Sequence, residues 1–279
     1  MKIFTTRASL FQYLASIKKL NRVIGLVPTM GALHDGHLSL IDAAKQSTDV
    51  VVCSIFVNPT QFSDLQDLDK YPRPIESDIE KLSASGCDVL FMPEVAEMYS
   101  DNENWHIDLN GLDEILEGAI RPGHYQGVTQ IVKKLFDTVK PDKAFFGQKD
   151  YQQFMVISAM VKQFDLPVDL TMCPIVREAD GLAMSSRNIH LSATEHQQAL
   201  ALNEALKLTK MLFQKCSIST IKKKISQYLA NSPGIVPEYF SICHTQSLKP
   251  VDEYIGEKLV ALVAARVGKI RLIDNIIIG

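Results

Sequence analysis

Hydrophobic positions in the first part of the chain alternate between two periodicities. Short apolar or β-branched runs predict buried strands at 22–28, 50–57, 88–92, 144–146 and 168–172. Between them, apolar residues recur at helical spacing and predict helices over 37–47, 75–84, 128–139 and 152–164. Strand–helix alternation of this kind is typical of a doubly wound parallel sheet.

The pattern changes after about residue 175. Ser192 and Glu195 form a capping-box signature at the start of a helix that runs to Phe213, and a second helix follows over 219–229. Three strand-like segments then occupy 238–244, 258–266 and 270–278. Helices followed by a small, antiparallel sheet indicate a separate α+β domain. We therefore predict an α/β protein, with a Rossmann-like domain over 1–175 and a smaller C-terminal α+β domain over 176–279.

Composition narrows the class of protein. Hydrophobic residues make up 46% and charged residues 22% of the 279 positions, which is enough for a real core. A net charge of -3 gives no sign of a nucleic-acid or membrane partner. The five cysteines form no C-x-x-C pair, which argues against disulfides and structural zinc and favours a cytoplasmic location. We see no secretory signal, and the apolar run 50–57 is too short to span a bilayer.

The strongest chemical motif is P-T-M-G-A-L-H-D-G-H at 28–37, where a predicted strand ends and a helix begins. A helix N-terminus binds anions, and Gly31 and Gly36 let the backbone approach a ligand closely. His34 and His37 share one face of the first turn. The motif predicts ATP with its phosphates over the helix start and two imidazoles near the α-phosphate. An isolated H-x-x-H would favour a helix cap or a metal pair over phosphate. Here the surrounding glycines and the strand–turn–helix context favour phosphate.

Two further polar motifs follow predicted strands. Asn58 and Gln61 lie in F-V-N-P-T-Q-F, and their neutral amides suit hydroxyls and a carboxylate, although an Asn-Pro turn alone would explain them. In G-Q-K-D-Y-Q-Q at 147–153, Lys149 would reach phosphate. Asp150 would accept from ribose hydroxyls or cap the following helix.

A fourth motif, Met184-Ser-Ser-Arg187, lies near the predicted domain junction and suits a clamp on the β- and γ-phosphates. Its alternative is a polar linker. The chain lacks both G-x-x-x-x-G-K-[ST] and G-x-G-x-x-G, so neither a P-loop nor the usual dinucleotide site is supported. The Asp-rich stretch 63–70 is predicted to be a surface loop with one helical turn, suited to act as a lid.

Together these motifs resemble the pantothenate synthetase family, the pantoate–β-alanine ligases of the H-x-G-H nucleotidyltransferase superfamily. Similar blocks are Y-P-R at 71–73, R-P-G-H at 121–124, M-S-S-R-N at 184–188, A-A-R-V-G-K at 264–269 and R-L-I-D-N at 271–275. The resemblance covers nearly the whole chain. Tyr125, Gln126 and Ile270 depart from many relatives.

The resemblance implies a set of site residues. ATP contacts fall on Met30, Gly31, Ala32, Leu33, His34, Asp35, Gly36, His37, Gly147, Gln148, Lys149, Asp150, Val176, Met184, Ser185, Ser186 and Arg187. The expected catalytic residues are His37, which acts as the proton donor, His34 and Lys149. Gln61, Gln153 and Asn58 are expected to bind pantoate, and Gln61 also β-alanine. The family implies Mg²⁺ with ATP and a homodimer, and no protein ligand for the metal is assigned, although Asp78 is a candidate neighbour.

The implied reaction is ATP-dependent condensation of (R)-pantoate with β-alanine to give pantothenate, AMP and pyrophosphate through a pantoyl adenylate. The segment 63–74 is expected to close over the site. Two alternatives stay open. One is another H-x-G-H nucleotidyltransferase, such as a cytidylyltransferase, and the other is a non-catalytic ATP-binding regulator.

Overall fold

The computed structural model describes residues 1–100 and 103–279. The chain forms two compact units. The first comprises residues 1–147 and 152–174, and the second comprises 148–151 and 175–279. The short segment 148–151 therefore belongs to the second unit, although its neighbours on both sides in the sequence belong to the first.

A six-stranded parallel sheet forms the centre of the first unit. Its strands are β1 (Lys2–Phe4), β2 (Ile24–Thr29), β3 (Val50–Ile55), β4 (Val89–Phe91), β5 (Lys143–Gly147) and β6 (Asp169–Cys173). The spatial order is β1-β4-β3-β2-β5-β6, and every pairing is parallel. Successive strands run outward in one direction from β2 to β4 and in the other from β5 to β6. The order thus reverses between β2 and β5, which is where open α/β sheets bind ligands.

Helices connect these strands. They are α1 (Arg7–Lys18), α2 (Asp35–Lys45), α3 (Leu65–Lys70), α4 (Ile75–Ala84), α5 (Val95–Met98), α6 (Glu117–Ile120), α7 (His124–Val139) and α8 (Tyr151–Gln163), with a 3-10 turn at Pro59–Gln61. β3 is buried along its whole length, as expected for a central parallel strand. Its alternate residues enter two different core clusters, with Val52 in one and Cys53 in the other. The sheet is therefore packed on both faces.

The second unit contains a three-stranded antiparallel sheet in the order β7-β8-β9. Its elements are 3-10 turns at Gln148–Asp150 and Asn188–His190, helices α9 (Ala193–Phe213) and α10 (Ile218–Asn231), and strands β7 (Ile235–His244), β8 (Leu259–Val267) and β9 (Ile270–Ile278). The predicted capping box is present. Ser192 accepts from the Glu195 amide at 3.3 Å, and Glu195 accepts from the Ser192 amide at 2.8 Å.

The predicted fold class is confirmed, namely a parallel sheet flanked by helices and a small C-terminal antiparallel sheet. Several local predictions differ from the structure. β1, α1, α5 and α6 were not predicted, and β7 begins at Ile235 rather than residue 238. α7 begins at His124 rather than residue 128, and α3 makes the stretch 63–70 more helical than the expected single turn. All five cysteines are free thiols, and burial raises the pKa of Cys87 to about 11. None of the helices in the described ranges has the length and apolar character that a bilayer crossing requires.

One ion pair links Glu103 to helix α7. Lys134 Nζ lies 2.6 Å from Glu103 Oε2, while Glu103 Oε1 accepts from the Ser100 amide at 3.0 Å. The Lys134 hydrogen bond, with help from Ser100, lowers the pKa of Glu103 to about 2. The pair therefore stabilises the fold above about pH 4.5, and this contribution is lost as pH falls through about 2.

We expect Glu103→Gln to lower the free energy of unfolding at pH 7 by no more than about 1 kcal/mol, because the pair is partly exposed. The difference from the original protein should shrink as pH falls from about 4.5 toward 2, since the original carboxylate then gains a proton. Urea unfolding at pH 7 and pH 3 measures this, with the exposed Glu253→Gln as the control. A difference that stays constant over this interval would contradict the assignment.

Candidate active site

The P-T-M-G-A-L-H-D-G-H segment forms a tight turn between β2 and α2. Gly31 has φ +81 and Ala32 has φ +50, so two consecutive residues adopt left-handed backbone. A Cβ atom on Gly31 would lie 3.0 Å from both Asp78 Oδ2 and Ile55 Cγ2. Glycine is therefore required at position 31 by its conformation and by the close approach of Asp78.

Asp78 on α4 holds this turn in place. Its side chain is 0% exposed, and its two oxygens accept from the amides of Ala32 and Leu33, each at 2.8 Å. Lys81, one turn later on the same helix, donates to the Leu33 carbonyl at 2.7 Å. Because both carboxylate oxygens are engaged by backbone donors, Asp78 is part of the scaffold of the turn. The sequence suggested it only as a neighbour of magnesium.

His34 and His37 lie together at the start of α2, with ring centroids 4.1 Å apart and planes inclined by 36°. His34 is the N-cap residue, and its amide donates to His37 Nδ1 at 3.3 Å. This contact makes Nδ1 an acceptor, so the proton of a neutral His37 ring is assigned to Nε2. The His37 side chain therefore caps the helix start, and this contact orients His37 as an Nε2–H donor.

Gln61 lies beside the turn. Its Nε2 is 3.1 Å from the Met30 sulfur, and its Oε1 accepts from Asn58 Nδ2 at 3.1 Å. Asn58 is 1% exposed and also donates to the Gly127 carbonyl, while its Oδ1 accepts from Tyr99 at 2.6 Å. The structure thus brings together the first two predicted motifs and uses Asn58 to fix the Gln61 amide.

His124 is a further residue of this cluster, and no role was predicted for it. It is buried, and its Nδ1 lies 2.7 Å from the Gln61 carbonyl. It belongs to R-P-G-H at 121–124, a block that the resemblance included without assigning a function. His124 is the first residue of α7, and the same helix contributes the Gly127 carbonyl that holds Asn58. The 58–61 segment is therefore anchored to α7 at two points.

Gly127 on α7 sets how closely that helix approaches the turn. A Cβ atom at this position would lie 2.3 Å from the Thr60 carbonyl oxygen and 2.7 Å from the Gln61 nitrogen. Both are backbone atoms and cannot rotate away. The resemblance implies that Gln61 binds pantoate. On that expectation, Gly127→Ala should displace the turn and raise KM for pantoate by at least about tenfold, because misplacing a substrate contact by about 1 Å costs up to about 10² in rate.

Steady-state kinetics with each substrate varied in turn measures this effect. KM for ATP serves as the internal control, because α4 holds the backbone of Ala32 and Leu33, while Gln61 contacts this segment through the Met30 side chain. Equal changes in KM for pantoate and ATP would indicate general misfolding and contradict the local role of Gly127.

Gln152 and Gln153 lie in the first turn of α8 and have different surroundings. Gln152 is 2% exposed, donates to the Leu112 and Ile115 carbonyls at 2.6 and 2.8 Å, and accepts from the Glu117 amide at 3.0 Å. It therefore fixes the 112–117 loop. Gln153 is half-buried in the first turn of the helix.

Of the remaining predicted ATP residues, Gly147 ends β5 in the first unit, and the others lie in the second unit. Gln148, Lys149 and Asp150 form a 3-10 turn directly after β5. Val176 and Met184 face each other across a narrow hairpin, with the Met184 amide donating to the Val176 carbonyl at 3.1 Å. The hairpin places Ser185, Ser186 and Arg187 just beyond its end, where Ser185 Oγ accepts from the Arg187 amide at 3.3 Å. The turn and the hairpin thus belong to the same compact unit.

Among the described residues, one group has the side chains and spacing of a metal site. Glu178, Asp180 and His196 offer ligand atoms within 4.8 Å of one another. His196 Nε2 lies 2.7 Å from Asp180 Oδ2, and the pKa of Asp180 is lowered first by the Leu182 amide and then by this histidine. The His196–Asp180 hydrogen bond and the 3.7 Å contact between His196 and Glu178 account for the spacing.

The parallel sheet and the H-x-G-H turn after its second strand define an α/β protein with a candidate anion site at the start of a helix. A family model described as pantoate-beta-alanine ligase matches residues 2–277. The chain belongs to the pantoate–β-alanine ligase family, and it is therefore a ligase that forms an amide bond.

Relatives and solved structures agree with this assignment. Pantothenate synthetase from Acetivibrio thermocellus is 46% identical over 280 residues, covering 100% of this chain and 99% of that protein. The protein of the same name from Pseudothermotoga lettingae is 48% identical over 260 residues, covering 92% of each. The crystal structure of pantothenate synthetase from Thermus thermophilus matches with a TM-score of 0.92 at 39% identity, covering 99% of both chains.

A third solved structure carries ligands. It is the pantoate-beta-alanine ligase from Francisella tularensis complexed with beta-gamma ATP and beta-alanine. It matches with a TM-score of 0.82 at 35% identity and covers 99% of this chain and 97% of that one. The predicted family and enzyme class are thereby confirmed.

Proposed function

We propose that the chain condenses (R)-pantoate with β-alanine at the expense of ATP, giving pantothenate, AMP and pyrophosphate. A pantoate carboxylate oxygen attacks the α-phosphorus of ATP, and the bond from that phosphorus to pyrophosphate breaks. The amine of β-alanine then attacks the acyl carbon of pantoyl adenylate, releases AMP and loses a proton to solvent. ATP and β-alanine are the ligands of the solved relative.

The observation that carries this proposal is the pair of imidazoles at the start of α2. His37 is oriented by the His34 amide so that Nε2–H is its donor atom. A donor placed where negative charge develops stabilises the transition state without reorganisation. We assign His37 the donation to the phosphate and His34 a supporting contact, with Met30, Gly31, Ala32, Leu33, Asp35 and Gly36 completing this part of the ATP site.

We assign the other ATP contacts on their sequence motifs. Lys149 provides a positive charge for the departing pyrophosphate, together with Ser185, Ser186 and Arg187. Gly147, Gln148, Asp150, Val176 and Met184 are assigned to the same nucleotide on their motifs. No protein nucleophile is required, since ATP supplies the activation. Catalysis then depends on positioning, which supplies about 7–11 kcal/mol in favourable systems.

We assign pantoate to Gln61 and Gln153, with Asn58 acting by holding the Gln61 amide, and β-alanine to Gln61. The Gln61 amide is already fixed by Asn58, which reduces the entropy lost on binding. Segment 63–74, which contains α3, is the proposed lid that excludes water from the adenylate.

Magnesium is proposed to enter with ATP. Asp78 does not suit a direct metal ligand, because backbone amides engage both of its oxygens. The ion would neutralise phosphate charge when bound, held by ATP itself. We further propose a homodimer and a cytoplasmic location, the latter supported by the five free thiols.

Isotope exchange tests the adenylate route. The protein is mixed with Mg²⁺, ATP, pantoate and labelled pyrophosphate in the absence of β-alanine. We expect label to enter ATP only when pantoate is present, because formation of the adenylate is reversible. Exchange that is independent of pantoate, or its absence while pantothenate still forms, would refute the proposed intermediate.

A further inference from the structure

Two adjacent buried residues on β9, Asp274 and Asn275, hold the two predicted ATP-binding segments of the second unit. Asp274 is 4% exposed and Asn275 is 1% exposed. Neither their sequence pattern nor the resemblance gives them a role beyond membership of R-L-I-D-N at 271–275. Buried polar side chains persist when their hydrogen bonds are satisfied, so their partners indicate what they do.

Both the nitrogen and the oxygen of the Asn275 side-chain amide form hydrogen bonds with the 148–149 segment. Its Nδ2 donates to the Gln148 carbonyl at 2.9 Å and to the Lys149 carbonyl at 3.0 Å. Its Oδ1 accepts from Gln148 Nε2 at 3.1 Å. Three hydrogen bonds from one side chain thus fix the backbone on which Lys149 stands.

Asp274 holds the other segment through Arg177. The two guanidinium nitrogens Nη1 and Nη2 donate to Asp274 Oδ2 and Oδ1 at 2.6 and 2.9 Å, and Nη1 also donates to the Gly181 carbonyl at 3.1 Å. Arg177 pairs with Ala183 in the hairpin that leads into Ser185. A bidentate contact fixes direction as well as distance, so the hairpin is clamped at its base.

The two anchors are linked to each other. The Asn275 amide donates to Asp274 Oδ1 at 2.7 Å, so the carboxylate that receives Arg177 also fixes the backbone of Asn275. β9 is hydrogen-bonded to β8 along its full length, which makes both positions part of a rigid sheet. Successive residues of a strand point to opposite faces, and one short stretch of strand can therefore serve two segments.

We propose that Asp274 and Asn275 are positioning residues for the nucleotide, with Asn275 acting on Lys149 and Asp274 acting through Arg177 on the segment from Met184 to Arg187. This inference rests on the proposed function, because it takes those segments to bind ATP. It predicts effects specific to ATP and local to the segment that each residue holds.

The test compares Asn275→Ala and Arg177→Lys with Ile277→Ala, an exposed substitution on the same strand. Asn275→Ala should raise KM for ATP at least about tenfold, while KM for pantoate and for β-alanine stays within about twofold. Arg177→Lys should show the same selectivity, because lysine keeps the charge but cannot make the bidentate contact. Ile277→Ala should leave all three KM values unchanged.

Amide hydrogen exchange gives a readout that is independent of activity. Asn275→Ala should accelerate amide exchange at 148–151 and leave it unchanged at 184–187. Arg177→Lys should accelerate exchange at 184–187 and leave it unchanged at 148–151. If Asn275→Ala does not fold, Asn275→Ser provides the same comparison. Unchanged exchange at these segments, or equal increases in all three KM values, would overturn the inference. Loss of pantoate-dependent exchange in the original protein would instead refute the proposed function.

Discussion

Replacement of His37 by alanine is expected to slow pantoate-dependent pyrophosphate exchange by about 10²–10³-fold, the usual cost of removing one preorganised donor. The structure gives the reason, since the His34 amide engages Nδ1 and leaves Nε2–H as the donor atom. KM for ATP should change less than kcat, because the contact strengthens as charge develops on the phosphate. Single-turnover rates of adenylate formation measure the effect directly.

A second substitution separates catalysis from helix capping. Glutamine is a favoured capping-box residue at the third helical position, so His37→Gln should preserve the cap while removing the imidazole. We expect it to unfold at the same urea concentration as the original protein and to be as slow as His37→Ala. The exposed His106→Ala is the control for loss of any histidine. A His37→Ala protein with an unchanged adenylation rate would remove the catalytic assignment.

Replacement of Asp78 by alanine is expected to have the largest effect on stability. It leaves the amides of Ala32 and Leu33 without their acceptor in a buried position, and each unsatisfied donor costs about 1–3 kcal/mol. The free energy of unfolding should therefore fall by about 2–6 kcal/mol. Pyrophosphate exchange should fall as well, since the 30–34 turn loses its support.

Urea unfolding and exchange kinetics, measured on the same preparations, test this expectation. Glu80→Ala is the matched control, because it removes an exposed carboxylate from the same helix. Asp78→Asn should lie between the two, as an amide keeps only one acceptor. Stability of Asp78→Ala within about 0.5 kcal/mol of the original protein would show that solvent replaces the carboxylate and that the anchor is dispensable.

Sequence patterns predicted most of the fold because the spacing of apolar residues along a strand or helix reflects which of its faces is buried in the core. β3 is an unbroken buried strand, and α4 was predicted with the bounds that the structure shows. β1 was missed because three residues at the edge of a sheet carry too little periodicity. The start of α7 was placed too late because Gly123, with φ +78, precedes a polar first turn that lacks an apolar pattern.

The sequence predicted the motifs of the candidate site. It did not predict the residues that hold those motifs in place. Asp78 lies 46 positions from Ala32, and Asn275 lies 127 positions from Gln148. A single carboxylate or amide carries no periodic signal, so only the folded chain reveals which backbone groups it reaches. Gln61 beside Met30 was foreseeable, because both follow neighbouring parallel strands. The sequence therefore indicated the residues proposed to contact substrates, but not the residues that anchor them.

Residues 148–151 belong to the second unit, and this affects how the two units can be expressed separately. A gene cut after position 175 would separate this tetrapeptide from the sheet that holds it. The excised C-terminal fragment would carry Asn275 with its amide facing solvent instead of Gln148 and Lys149, and the other fragment would keep Lys149 without its support. In a chimaera of two homologous proteins joined at this position, the tetrapeptide and the strand that contacts it come from different parents. The residue at position 275 then has to match the backbone of the other parent.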